Sequence, residues 1–145
     1  MADKKKEQAM VVSQEQIADG IFSMWIHTEA AQSARPGQFI SMYTKDATKL
    51  LPRPISICEA DKENGRLRIV YRIAGAGTKE FSECKAGDTL DIMGPLGNGF
   101  PLKKKKAFLI GGGIGIPPMV QLAKELNGEK QVVAGYRNEQ IFLGE

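Results

Sequence analysis

Six short runs of strand-forming residues, each closed by turn chemistry, occupy positions 9–93 and limit the fold more than any other feature. They are Ala9–Val12, Ile21–Thr28, Phe39–Tyr43, Ile55–Cys58, Leu67–Ile73 and Thr89–Met93. Asp19-Gly20, Pro36-Gly37, Asn64-Gly65 and Gly87-Asp88 punctuate the series, each pair supplying residues that accept turn backbone. Asn64-Gly65 between two such runs is the strongest hairpin signal. Side chains alternate along a strand, so Leu67, Ile69, Tyr71 and Ile73 fall on one face and Arg66, Arg68, Val70 and Arg72 on the other. One short helix over Thr78–Cys84 interrupts the strands. Runs this short and this numerous predict a mainly β fold, a six-stranded antiparallel Greek-key barrel over residues 1–99.

The pattern then changes. Gly94-Pro95-Leu96-Gly97-Asn98-Gly99 reads as a loop and a domain boundary. Ala107–Ile110 is an unbroken apolar run, as expected of a buried parallel strand. Over Pro117–Asn127, Met119, Leu122, Ala123 and Leu126 recur at helical spacing, with proline in the first turn and Gly128 just beyond the end. Val132–Tyr136 reads as a second strand. Residues 100–145 thus predict a partial α/β domain of one β-α-β unit. Its apolar strand faces are expected to stay partly uncovered unless the barrel or a partner covers them.

Of the 145 residues, 42% are hydrophobic and 26% charged, as in ordinary folded proteins. Much of the net charge of +3 comes from two runs, Lys4–Lys6 and Lys103–Lys106, so no basic face for nucleic acid is implied. The second run is expected to solvate the linker, and residues 1–8 to fray. No stretch approaches the roughly 18 apolar residues of a membrane span, and the N-terminus lacks an apolar signal core. A cytoplasmic protein without a membrane partner is the expectation. Cys58 and Cys84 would there stay thiols, and two cysteines cannot supply the four ligands of an iron–sulfur cluster or a structural zinc. His27, beside Trp25 on an apolar run, reads as packed or partly exposed. No Ser/His/Asp set, paired carboxylates or metal-ligand cluster emerges, so no catalytic or metal-binding residue is assigned.

Four motifs carry chemistry. In Arg53-Pro54-Ile55-Ser56 the proline biases Arg53 to extended backbone, and its guanidinium suits a phosphate because it stays charged and donates two parallel hydrogen bonds. A surface arginine at a strand end is the alternative. Ser56, opposite in direction to Ile55 and Ile57, offers a small hydroxyl to a ring edge, or simply a wet strand face. In Val70-Tyr71-Arg72 the tyrosine is either a flat ring beside a cofactor or a barrel core residue. Arg72 points the other way. Gly75-Ala76-Gly77-Thr78 lets backbone approach an anion and gives Thr78 as a helix cap, whether or not a ligand is there. Gly111-Gly112-Gly113-Ile114-Gly115-Ile116-Pro117-Pro118 is a glycine-rich strand-to-helix turn. It departs from G-x-G-x-x-G, and the next strand ends in Tyr136-Arg137-Asn138 with no acidic residue, so a standard Rossmann site is disfavoured.

In order and spacing these motifs resemble the ferredoxin reductase-like flavoproteins, in which a β-barrel holds FAD and an α/β domain receives NAD(P). R-P-I-S, V-Y-R-I-A-G-A-G-T, M-G-P-L-G-N-G-F and G-G-G-I-G-I-P-P together look most like the electron-transfer subunits of type B dihydroorotate dehydrogenases, from about residue 10 onward. The resemblance implies FAD contacts from Arg53, Pro54, Ile55, Ser56, Val70, Tyr71, Arg72, Gly77 and Thr78. It implies NAD contacts from Gly111, Gly112, Gly113 and Gly115. In that family electrons pass from dihydroorotate, through FMN of a separate catalytic subunit and a [2Fe–2S] cluster, to FAD and then to NAD⁺, in pyrimidine biosynthesis. Against that pattern the present chain reads as C-terminally truncated and without the cluster ligands, so that alone it would be inactive in the coupled reaction. A related ferredoxin or sulfide NAD(P) reductase subunit is an alternative within the class. A flavin-free barrel serving as an assembly module is an alternative outside it.

Overall fold

A computed structural model describes residues 6–46, 48, 51–102 and 106–136. Lys4, Lys5, Lys103–Lys105, Arg137 and Asn138, on which several expectations fell, lie outside the described residues. All six expected strands form: β1 (Lys6–Ala18), β2 (Ile21–His27), β3 (Phe39–Met42), β4 (Arg53–Asp61), β5 (Arg66–Arg72) and β6 (Thr89–Leu96). They close into a barrel in the order β1-β2-β5-β4-β3-β6, every pair antiparallel. Since β2 pairs with β5 instead of β3, and β6 returns between β3 and β1, the connections are Greek-key.

Alternation along β5 decides what is inside. Leu67, Ile69 and Tyr71 point into a fully buried cluster with Val11, Met24, Ile26, Ile40, Met42, Ile57, Leu90 and Ile92. Arg66 and Arg72 face outward. Arg68 is also on the outer face but covered: its Nε donates to Ser23 Oγ at 2.9 Å, and Nη1 lies 3.7 Å from the Glu59 carboxylate. The β4–β5 hairpin is confirmed, with Gly65 at φ 65°. Its loop has four residues, however, because Asp61 accepts from Asn64 N (3.2 Å) and Asn64 Nδ2 (2.8 Å) and holds a wider turn.

Several boundaries differ from the sequence expectation. Lys6–Gln8, expected to fray, pair with Met93–Asp91 of β6. β1 then bends through register shifts at Val11/Ser13 and Gln16/Ala18 and pairs with β2, which lets one long strand serve two neighbours. The segment expected as a loop from Gly94 is strand as far as Leu96. Gly94 permits this, since a Cβ there would stand 2.8 Å from Ile40 Cγ2. The residues after β6 are strapped to the barrel: Gln38 Nε2 donates to Gly97 O (2.8 Å), Arg35 Nη2 to Asn98 O (2.9 Å) and Phe100 N to Pro36 O (2.7 Å).

Beyond the strap come β7 (Ala107–Gly112), a 3-10 turn at Gly113–Gly115, a helix over Pro117–Glu125 and β8 (Lys130–Gly135). β7 and β8 are parallel, as expected of a β-α-β unit. The short helix between β5 and β6 spans Ala76–Ser82 and is α1; Pro117–Glu125 is α2. One face of α2 puts Leu122 and Leu126, with Met119 and Ala123, against Leu109 and Ala107 of β7. The other puts Val120 against the outer barrel face at Cys58 and Val70, where Gln121 Oε1 accepts from Ala60 N (3.0 Å) and Lys124 pairs with Glu59. The expectation of a buried β7 fails. Only Leu109 is covered, whereas Phe108 and Ile110 are 62% and 73% exposed, because α2 covers one face of the two-stranded sheet. Among the described residues no helix is long and apolar enough to cross a membrane.

Candidate functional site

β4 and β5 are bridged from Ile57↔Ile69 to Asp61↔Arg66. Ahead of that ladder, Arg53–Ser56 keep their pairing with β3, from Met42↔Arg53 to Phe39↔Ser56. Beyond it, Val70–Arg72 keep theirs with β2, from Ser23↔Val70 to Ile21↔Arg72. The barrel wall is therefore parted over the stretch that carries both strand motifs. Strand edges released in this way present N–H and C=O groups that need partners. A flat, polar-edged ligand laid between them can supply those partners.

At the end of the parting, α1 returns to β4. Gly77 lies so close to Arg53 that a Cβ on it would stand 3.0 Å from Nε and 3.2 Å from Cγ. The guanidinium is half-buried and donates from Nη1 to Leu51 O at 3.3 Å. Glycine at position 77 leaves the arginine side chain room to lie across the first turn of α1, where a Cβ would make it give by a few tenths of an ångström. The first amides of any helix lack intrahelical acceptors, so a permanent cation and a row of free N–H donors converge on one place. With seven residues, α1 is too short for its dipole to matter much. The individual amides and the guanidinium are what an anionic group meets there.

Thr78 plays another part than the one expected. It is the third residue of α1, Gly75 being the N-cap. Its buried hydroxyl accepts from Ala74 N (2.7 Å) and donates to Gly75 O (3.2 Å), which folds the turn and explains why the helix begins before it. Tyr71 is the core tyrosine of the two roles open to it. Its ring is 1% exposed, stacked on Phe22 at 5.9 Å and edge-on to Phe81 at 6.4 Å, and burial pushes its hydroxyl pKa up. What Tyr71 offers the parting is backbone. Ser56 is exposed, Ile55 packs on the core rim and Pro54 is exposed. Val70 faces α2.

The glycine-rich turn lies next to this site. Arg72 Nη2 comes within 3.9 Å of the Cβ position on Gly113, so Arg72 reaches from the parted wall to the turn. The glycines divide the work. A Cβ on Gly111 would stand 3.1 Å from Gly115 O and from Ile116 Cα, Gly113 adopts φ +54°, and Gly112 and Gly115 face open space. Cys58 is buried beneath α2; Cys84 packs on the barrel core, where burial raises its thiol pKa. His27 is exposed at the end of β2. Among the described residues no three His, Cys, Asp or Glu side chains gather as a metal-ligand group.

The model of the oxidoreductase FAD-binding domain matches residues 8–100. The chain belongs to the oxidoreductase FAD-binding domain family. Two curated relatives are electron transfer subunits of dihydroorotate dehydrogenase B (NAD⁺). The one from Streptococcus mutans is 46% identical over 95% of this chain and 56% of its own length. The one from Enterococcus faecalis is 42% identical over 98% of this chain and 60% of its own. The chain thus spans little more than half the length of these relatives. An NADH-dependent reduced ferredoxin-NADP oxidoreductase shares the fold of this family member, with a TM-score of 0.85 and 31% identity over 94% of this chain and 52% of that one. The fold is therefore that of the ferredoxin reductase-like FAD-binding domains.

Proposed function

We propose that the parted wall between β4 and β5 holds the isoalloxazine of FAD, with Arg53 and the first amides of α1 on its diphosphate. The observation that carries this reading is the placement of Arg53 against Gly77 at the end of the parting, a cradle that any Cβ would fill. Pro54, Ile55, Ser56, Val70 and Arg72 would line the flavin, Tyr71 and Gly77 would contribute backbone, and Thr78 would hold the turn in shape. When bound, the flavin supplies electron transfer. The chain's own task is to bind it, orient it and keep one ring edge reachable. Gly111, Gly112, Gly113 and Gly115, next to Arg72, would receive the nicotinamide half of NAD⁺.

Titrating flavin-free protein with FAD and with FMN tests the reading. Tighter binding of FAD is expected, because only FAD has a second phosphate and an adenosine for Arg53 and α1 to engage; equal affinities would sink it.

The relatives favour a larger role for a protein carrying this chain: the electron-transfer subunit of an NAD-dependent dihydroorotate dehydrogenase, in complex with an FMN-containing catalytic subunit. A [2Fe–2S] cluster does not fit the described residues, which offer no ligand group, and no step is assigned to one. A polypeptide of residues 1–145, loaded with FAD and mixed with that subunit, dihydroorotate and NAD⁺, is accordingly expected to form no NADH. The exposed strand faces at Phe108, Ile110, Val132 and Val133 point the same way, since so small a sheet holds a dinucleotide poorly. Turnover near that of a full-length subunit, followed as NADH absorbance, would refute this.

A further inference from the structure

Gln14 belongs to none of the motifs, and its side chain is used completely. It lies on β1 opposite Met24. Its Nε2 donates to Phe81 O in the last turn of α1, at 3.0 Å, and to Cys84 O two residues past the helix end, at 2.9 Å. Its Oε1 accepts from the Tyr71 hydroxyl at 2.5 Å. Three hydrogen bonds thus join β1, β5 and the C-terminal end of α1 at one amide group. At the other end of α1, Gly77 meets the Arg53 side chain with no room to spare.

We propose that Gln14, itself held by Tyr71, is a positioning residue that sets Arg53 for the phosphates of the dinucleotide by pinning the far end of α1. The inference rests on the flavin reading given above. A seven-residue helix is only about 10 Å long, so a tilt at one end carries through to the other. Phe81 anchors it in the core, and Lys45 N donates to Glu80 Oε2 at 2.8 Å on its outer side, but neither is a hydrogen bond joining its C-terminal end to β1 and β5. The two bonds from Gln14 make that join, and they are directional. Helix-end carbonyls at a half-buried site can be satisfied by water. A side chain from a strand distant in sequence does more, fixing where the helix lies relative to the wall that holds Arg53. The ring site between β4 and β5 does not depend on α1, and this separates positioning from general stability.

The test uses the whole chain with FAD and riboflavin, the latter filling the ring site without any phosphate. Gln14→Met keeps the length of the side chain and removes all three bonds. The FAD dissociation constant is expected to rise about tenfold, as loss of two hydrogen bonds of about 0.5–1 kcal/mol each allows, while riboflavin affinity stays within about twofold. In an Arg53→Ala background the same change should weaken FAD clearly less than in the wild type, about threefold, because only the first amides of α1 then remain to feel the tilt. Equal weakening of both flavins, or a full tenfold effect in the Arg53→Ala background, overturns the positioning role and leaves the flavin reading standing. Wild-type protein that binds FAD no better than riboflavin overturns both. Should Gln14→Met fail to fold, Tyr71→Phe carries the test. It keeps the ring packing and removes one bond, with an expected loss of about threefold for FAD alone that shrinks without Arg53.

Discussion

Phe81→Ala is expected to destabilise the protein by about 3–5 kcal/mol, the cost of emptying a fully packed aromatic site. Phe81 is 0% exposed and meets the edge of Tyr71, which in turn stacks on Phe22. The three rings close the end of the barrel where β2, β5 and α1 meet. Alanine leaves a void that the neighbours cannot fill, because Tyr71 is tied to Gln14 and the strands are tied to each other. Against a typical total of about 5–15 kcal/mol, that loss puts the chain near the edge of folding. Urea denaturation followed by circular dichroism measures it. Phe108→Ala is the control: its ring is mostly exposed, and a change within about 0.5 kcal/mol is expected. A Phe81→Ala effect below about 1 kcal/mol would show that α1 is not part of the barrel's cooperative unit.

The six strands were legible because turn residues and alternation both mark them, and the Leu67–Tyr71 face was placed correctly from period alone. What stayed hidden depends on partners distant in sequence. Gln14 lies past the expected Ala9–Val12 run, in a polar stretch with no motif; only folding brings it to Tyr71 and the end of α1. The continuation of β6 through Pro95 was masked by a glycine-proline pair that reads as a turn. That Gly94 is there for close approach to Ile40 can be seen only once β3 lies beside it. The apolar run of β7 alone suggested a covered strand, while the shortness of the β-α-β unit implied partly uncovered faces, and the second reading is the one the fold bears out at Phe108 and Ile110. Arg53, Gly77 and Arg72 were singled out from motif and spacing, and the structure brings Arg53 against Gly77 and Arg72 near Gly113. The end of the β4–β5 ladder beside them was not legible, since it arises from where two ladders stop. For Thr78 and Tyr71 the sequence left two roles open each, and only the fold shows that their hydroxyls shape the turn and the core.

Arg53→Ala is expected to weaken FAD binding about ten- to a hundredfold while leaving the melting temperature of the flavin-free protein nearly unchanged. A hydrogen bond to a charged group contributes roughly 1.5–3 kcal/mol, and each 1.4 kcal/mol is tenfold in affinity. Folding should tolerate the change because the side chain is half-buried and its one described hydrogen bond, to Leu51 O, is long at 3.3 Å. Arg53→Lys should recover only part of the loss. An ammonium keeps the charge but cannot make two parallel bonds to a phosphate, and it is more strongly hydrated. Gly77→Ala provides an independent approach to the same contact. The added Cβ would stand 3.0 Å from Nε and shift the guanidinium by a few tenths of an ångström without removing it, so FAD affinity should fall, though by less than in Arg53→Ala. Combining the two substitutions should then cost little more than Arg53→Ala alone, since they disturb one contact. Isothermal titration of the three variants and the double variant, with thermal melts alongside, decides the matter. An unchanged FAD dissociation constant in Arg53→Ala, with an unchanged melt, would return Arg53 to the protein surface and leave the parted wall without its anchor for phosphate.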